Sequence, residues 1–453
     1  MPGSRAASFL ALPLAALLAG CSVTDTIDSA INSTFHSNLR LPGSTSQSSS
    51  GLAVGDEPFA VKTGIAILVE GGSAADAVTA MFFAMTVTYP VAAGLGGGGI
   101  CLVSDPARGI REFDFLPRAA RAGGAFAVPG AVRGFYDLQS AFGTLPWQRD
   151  VAGSEAFAAT GFPISHTLAM RLSNAQAVVR QDPALAAEFL DQAGPKAEGT
   201  IVASPALSQT LSTIRLSGAD GFYKGAVANE VIRASAAQGG AISLQDFSEY
   251  RTGVENPRLM AEGNLSVALP TPSTGAGAFA QTLLANAARS GDPENAVVAA
   301  VRQSLARFGI SALPADLGGT GFAAVDQNGQ AAVCGVTTNG AFGSGKSAGN
   351  SGVLLAAAPG APSGIAGAFL TPMIARDGSG KVVLAGAGGP NGTAAIAYAL
   401  LRLAAGQSID RPGDLRSTGA APAVTVNVIA CGGVCVALPD PGGHGLGAGS
   451  AGP

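Results

Sequence analysis

Residues 74–88 constrain the fold most, because this segment is apolar on nearly every side. A helix that is apolar all round has no face to offer water, so other layers must enclose it. Ser73, followed three residues later by Asp76, forms a capping-box pattern at its start, and Pro90 stops it. An earlier helix begins near Pro58, with Phe59-Ala60-Val61, Ile65 and Leu68-Val69 at helical spacing, and ends at Gly71-Gly72. Past Pro90 come Gly94-Leu95-Gly96-Gly97-Gly98-Gly99 and an apolar strand, Ile100-Cys101-Leu102-Val103. A glycine run lets backbone approach a neighbour closely. A dinucleotide fingerprint needs strand, glycines, then helix, so this order excludes it.

Composition removes further classes. Charged residues are 12%, about half the usual ~25%, and 47% of the chain is apolar, which excludes a disordered chain. The net charge of −4 speaks against a nucleic-acid binder. The 64 glycines do not recur every third residue, which excludes collagen. Five cysteines in 453 residues are too few for a disulfide scaffold.

The N-terminus reads as an address. Arg5 precedes an apolar run over 9–18 that reaches Leu18-Ala19-Gly20-Cys21, the pattern of a secretory signal. Its ending resembles a bacterial lipobox, in which Cys21 becomes the lipidated first residue. The expectation is a signal peptide over 1–20 and a Ser-rich tether over 21–55, placing the protein at the bacterial cell envelope. Later, 321–326 reads as a strand, Asn328-Gly329 as a two-residue hairpin turn, and 330–339 as the return strand. That closure puts Thr320 opposite Thr337.

These landmarks, with Val128-Pro129-Gly130, Gly143-Thr144-Leu145-Pro146-Trp147, Phe222-Tyr223-Lys224-Gly225, Phe342-Gly343-Ser344-Gly345, Gly352-Val353-Leu354-Leu355 and the tail from Asp440-Pro441 to Leu446, stand in the order of one family. The chain resembles the gamma-glutamyltransferase family of N-terminal-nucleophile hydrolases from about residue 57 onward. The resemblance implies an α/β (α+β) fold, an αββα four-layer sandwich, made as a precursor that cuts itself. It implies large-subunit-like and small-subunit-like regions at 56–319 and 320–453, intertwined in one domain as a possible heterodimer. A threonine becomes the new N-terminus, its hydroxyl attacks an amide carbonyl, and its α-amine serves as base. The implied substrate is a small amide or peptide carrying a gamma-glutamyl or related acyl group. No cofactor, metal or nucleic acid is expected, and membrane contact is expected only through the lipid.

The site residues follow by position. Counting back seven from Asp326 puts the family nucleophile at Gly319, which has no hydroxyl, with Thr320 next. Two readings stay open: the cut has moved by one and Thr320 is the nucleophile, or the chain is an uncut relative. Thr337 and Asn339 match residues that support the nucleophile, although a polar hairpin edge accounts for them too. Gly388 and Gly389 match the oxyanion amides. Arg118, in Asp114-Phe115-Leu116-Pro117-Arg118, is at best a displaced substitute for the arginine that clamps the glutamyl carboxylate; its alternative is a surface charge. Ala356-Ala357-Ala358 replaces an expected acidic residue, and a serine pair near Ala368-Phe369 is absent, which weakens glutamyl specificity.

Other constellations carry less. Gly340-Ala341-Phe342-Gly343-Ser344-Gly345-Lys346-Ser347 spells a phosphate loop, but Gly349, Gly352 and Pro359 do not continue as the helix that loop requires. His36, His166 and His444 have no metal-ligand spacing, and His166 reads as a helix-start residue. Cys431 and Cys435 allow either a small-loop disulfide or two thiols. Cys101 and Cys334 read as core thiols.

Overall fold

The computed structural model describes residues 50–287, 292–312, 316–360, 365–389, 392–415, 426–432, 434–442 and 444–449. The expected signal peptide, Cys21 and most of the tether lie outside the described residues. Two sheets stack face to face. The first contains β1 (Gly51–Gly55), β2 (Gly98–Asp105), β3 (Gly109–Phe115), β4 (Gly253–Glu255), β7 (Gly319–Asp326), β8 (Ala331–Thr337) and β13 (Leu446–Gly449). The second contains β5 (Arg258–Glu262), β6 (Leu265–Leu269), β9 (Met373–Arg376), β10 (Val382–Gly388), β11 (Val426–Cys431) and β12 (Cys435–Leu438). Their orders are β13-β1-β7-β8-β2-β3-β4 and β12-β11-β10-β9-β6-β5.

Helices cover both outer faces. On the first sheet lie α1 (Pro58–Val69), α2 (Ala74–Thr88) and α3 (Ala131–Phe142), with α4 (Trp147–Thr160) packed outside α2 and α5 (His166–Val179) following in the chain; on the second lie α6 (Ala278–Ala287), α7 (Pro293–Arg307) and α8 (Gly392–Ala404). Every residue of α2 is buried, and the Ser73–Asp76 capping box forms at its start, as the pattern requires. Between the sheets, Val54, Leu102, Ala323, Val333, Ile374, Ala385 and Ile429 make the central apolar layer. A second layer, with Phe279, Leu283, Leu384, Leu400 and Val428, seals α6–α8 to their sheet. The result is the αββα sandwich. The glycine run is explained by close approach: a side chain on Gly96 would sit 1.9 Å from the Leu354 carbonyl oxygen.

Three expectations change. The tether reading fails at Gly51–Gly55, which is a buried strand between β13 and β7; its short Leu52-Ala53-Val54 run is enough because both edges are paired. The β7–β8 register is one residue off, with Gly319 opposite Thr337 and Thr320 opposite Val336. Asp326 causes this: its Oδ1 accepts the amides of Asn328 and Gln330, making a three-residue loop, with Gly329 at φ 81. Finally, Cys101 and Cys334 are not thiols. They are paired directly across β2 and β8 and form a disulfide, with Cα atoms 4.1 Å apart. Sequence shows that both are buried, but not that strands 233 residues apart are neighbours. Cys431 and Cys435 are also bridged.

Candidate active site

β7 carries the candidate chemistry, and strand alternation sends successive side chains to opposite faces. Phe322 points to the helix layer, stacked on Phe135 of α3 with centroids 6.4 Å apart. Thr320 shares that parity. Gly319 and Gly321 face the second sheet, where a side chain on Gly321 would meet Ala387 and Gly388 backbone at 2.3 Å. The one-residue register difference therefore matters. Position 319 stands beside Thr337 on the inter-sheet face, while Thr320 takes the alternate position along the strand and sends its hydroxyl to Asp56, just past the end of β1.

That hydroxyl is fully engaged. β1 ends at Gly55, opposite Phe322, and side chains take over where its pairing stops. Thr320 Oγ1 donates to Asp56 Oδ2 at 2.5 Å. Asn427 of β11 donates from Nδ2 to Asp56 Oδ1 and to the Gly321 carbonyl, each at 2.8 Å. Thr320, Asp56 and Asn427 are all fully buried. Burial pushes the Asp56 carboxyl up to about 6, against the opposing hydrogen bonds from Thr320 and Asn427. Such a carboxyl is mostly ionised at neutral pH yet takes a proton readily, as a general base must.

Arg171 of α5 closes the same edge. Its Nε and Nη2 fork onto Asp316 at 3.0 and 2.5 Å. Its Nη1 reaches the Tyr89 hydroxyl at 3.2 Å and the Gly319 carbonyl oxygen at 3.4 Å. Asp316 Oδ1 also accepts the Gly318 amide at 2.8 Å. The chain on both sides of Gly319 is thus held by one ion pair.

The remaining predicted residues spread around this edge. Thr337 Oγ1 donates to the Leu317 carbonyl at 3.0 Å and accepts the Asn339 amide at 2.9 Å. Asn339 adopts φ 59, and its Nδ2 donates to the Ala357 carbonyl at 2.9 Å. Gly388 ends β10 opposite Val426, and the Gly389 carbonyl accepts the Gly392 amide at the start of α8. Gly319 pairs with Thr337, and the Gly388 backbone lies against Gly321, two residues farther along β7. Arg118 lies in the two-residue strand Arg118–Ala119, pairs with Asp114 at 3.5 Å and stacks over the Tyr250 ring. A side chain on Gly98, the partner of Thr337, would meet Pro117, so the Asp114-to-Arg118 segment runs along the same end of the sheet.

Asp56, Arg171, Asp316 and Asn427 escaped sequence reasoning. Asp56 is 264 residues from Thr320, and only β1, read as tether, brings it near. The 340–347 stretch forms turns and then a two-residue strand, Lys346–Ser347, with no helix, which agrees with rejecting a phosphate loop. His166 begins α5 and pairs with Glu198; its ring lies 4.4 Å from that of His444, a proximity that sequence does not reveal. A cavity of about 320 Å³ opens between α2 and residues 184–207, and neither Thr320 nor Thr337 lines it.

Known proteins are similar to this chain in sequence and in fold. The family model described as Gamma-glutamyltranspeptidase matches residues 60–290. Glutathione hydrolase 7 of Homo sapiens is 31% identical over 242 residues, 50% of this chain and 36% of that protein. The glutathione hydrolase proenzyme of Pseudomonas aeruginosa is 29% identical over 254 residues, 51% of this chain and 45% of that one. The chain therefore spans less than half the length of these curated relatives. In overall fold it is similar to the cephalosporin acylase of Bacillus halodurans (TM-score 0.73, 16% identity, covering 90% and 97% of the two chains). It is also similar to the gamma-glutamyltranspeptidase of Helicobacter pylori (TM-score 0.52, 24% identity, 59% and 85%). With the matched segment taking in half of the sequence, from within α1 to beyond α6, the chain belongs to the gamma-glutamyltranspeptidase family.

Proposed function

We propose that this protein hydrolyses or transfers an amide-linked acyl group, of the gamma-glutamyl class or a related one, through Thr320 after cutting itself between Gly319 and Thr320. One observation carries this reading: the Thr320 hydroxyl donates to the buried carboxylate of Asp56 at 2.5 Å. A hydroxyl at its ordinary acidity is a weak nucleophile, and an adjacent base activates it. Cleavage releases the Thr320 amine, whose ordinary pKa of about 7.7–8.0 suits it to accept a proton near neutrality. It also frees rotation about the Cα–C bond of the new N-terminal residue. The side chain can then turn from the helix layer toward Gly388 and Gly389, whose amides would meet the substrate oxyanion. Arg118, 47% exposed on its side chain, is the cation available for a substrate carboxylate. The test is the mass of the purified chain after reduction. Cleavage leaves a fragment of 453 − 319 = 134 residues, and a single uncut chain sinks the reading.

A second reading has its own observation. Position 319, on the inter-sheet face beside Thr337, is a glycine and presents no hydroxyl. On that reading the chain stays whole and uses the cleft to bind an acyl or peptide ligand without turning it over. An uncut mass together with measurable binding of a glutathione-like peptide favours it.

The proposal extends to location, as an exported lipoprotein anchored through Cys21. Two disulfides support an oxidising compartment. Cys21→Ser should move the protein from the membrane fraction to the soluble envelope fraction; continued membrane association would overturn the anchor.

A further inference from the structure

We infer that Arg171 is a catalytic residue of the self-cleavage step, holding the carbonyl oxygen of Gly319 while Thr320 attacks its carbon. This rests on the reading that Thr320 is the nucleophile. Arg171 is more than half of an ion pair. Two of its nitrogens are fixed by Asp316, and its third edge points at Tyr89 and at the carbonyl of the bond to be cut. Asp316 acts as a positioning residue, since it also grips the Gly318 amide and so registers the chain against the guanidinium. The Tyr89 ring lies under the guanidinium at 5.2 Å, and only 14% of the Arg171 side chain is exposed. In so dry a site a cation acts strongly on developing negative charge. The 3.4 Å contact to Gly319 is long for a resting hydrogen bond, and such contacts tighten as charge builds.

The step balances with water as the only co-reactant. Thr320 Oγ1 bonds to the Gly319 carbonyl carbon, and its proton passes to the Asp56 carboxylate. The carbonyl electrons move to oxygen, where Arg171 donates. Collapse breaks the carbon–nitrogen bond, and Asp56 returns the proton to the departing nitrogen, leaving an ester and a free α-amine. Water then hydrolyses the ester to the Gly319 carboxylate and the Thr320 hydroxyl. The molecule would thus contain two oxyanion devices beside β7: Arg171 at its edge for its own peptide bond, and Gly388 with Gly389 for a substrate.

The experiment follows self-cleavage of the full chain over time by reduced mass, with far-ultraviolet circular dichroism as the folding check. Arg171→Ala should slow cleavage by ~10²–10³-fold, the cost of losing one oxyanion donor, and added guanidinium should restore part of the rate. A merely structural arginine would not respond to guanidinium in a chain that is already folded. Arg171→Lys keeps the charge but cannot fork onto Asp316 and reach Gly319 together, so it should fold and cleave more slowly. If the wild type cuts and either folded variant cuts equally fast, the Arg171 inference falls and the Thr320 reading survives. If the wild type never cuts, both fall.

Discussion

The two faces of β7 differ sharply although they alternate along eight residues. On one, Thr320 and Phe322 are closely partnered, by Asp56 and by Phe135. On the other, Gly319 and Gly321 present only backbone to Thr337 and Gly388. The difference teaches that a shift of one residue along a strand is not a small change for a nucleophile. It exchanges one face for the other, along with every neighbouring group.

Exchanging the hydroxyl between faces should give the largest effect. Thr320→Ala removes it and should abolish cleavage. Gly319→Thr adds one beside Thr337; the new Cβ would lie 3.1 Å from the Val336 carbonyl oxygen, a tight contact that a shift of a few tenths of an ångström relieves. Its cut should move to the preceding bond, leaving 453 − 318 = 135 residues, readable by mass. Cleavage that stays before Thr320 in this variant would break the contrast between the faces. Next in size, Asp56→Asn should slow cleavage by ~10²–10⁴-fold, the usual worth of a general base. In the wild type the rate should fall as pH drops through about 6, where Asp56 gains its proton, and this limb should vanish in the variant.

Stability tests sharpen the same comparison. Phe322→Ala empties the packed face and should cost about 3–5 kcal/mol in denaturant unfolding. Gly321→Ala overfills the bare face and should cost about 1–3 kcal/mol, because Ala387 and Gly388 must move. A last test lies away from β7. Asp150 is buried beside Asp76, and burial with that negative neighbour raises its carboxyl from 3.8 to about 10. The stability it contributes is complete below 3.8 and is lost as pH rises toward 10, since the unfolded chain releases the proton. Asp150→Asn removes that loss, so its advantage in melting temperature should be greater at about pH 8 than at about pH 5.

Local patterns were legible in the sequence. The capping box at Ser73, the all-buried helix α2 and the β7–β8 hairpin all follow from nearest-neighbour chemistry. The place of Gly319, seven residues before Asp326, came instead from the family resemblance. What escaped depends on distant partners. The Asp326 carboxylate adds one residue to the turn, and that moved Thr320 off Thr337. Asp56 and Asn427 lie at opposite ends of the chain, and Arg171 sits on a helix whose pattern says only that one face is buried. Glycine-rich ends made β1 look like linker, hiding the strand that delivers the base.

The Cys101–Cys334 bond has a consequence for any attempt to observe maturation. Its two ends lie on opposite sides of the Gly319–Thr320 bond. A protein cut there would remain one covalent molecule, heavier than its precursor by one water, and would run as a single band until a reductant released the halves. The staple also crosses the adjacent strands β2 and β8, one from each fragment, so the fragments could not drift apart or exchange with those of another copy. For this molecule, having been cut and having come apart are separate events, governed by different chemistries.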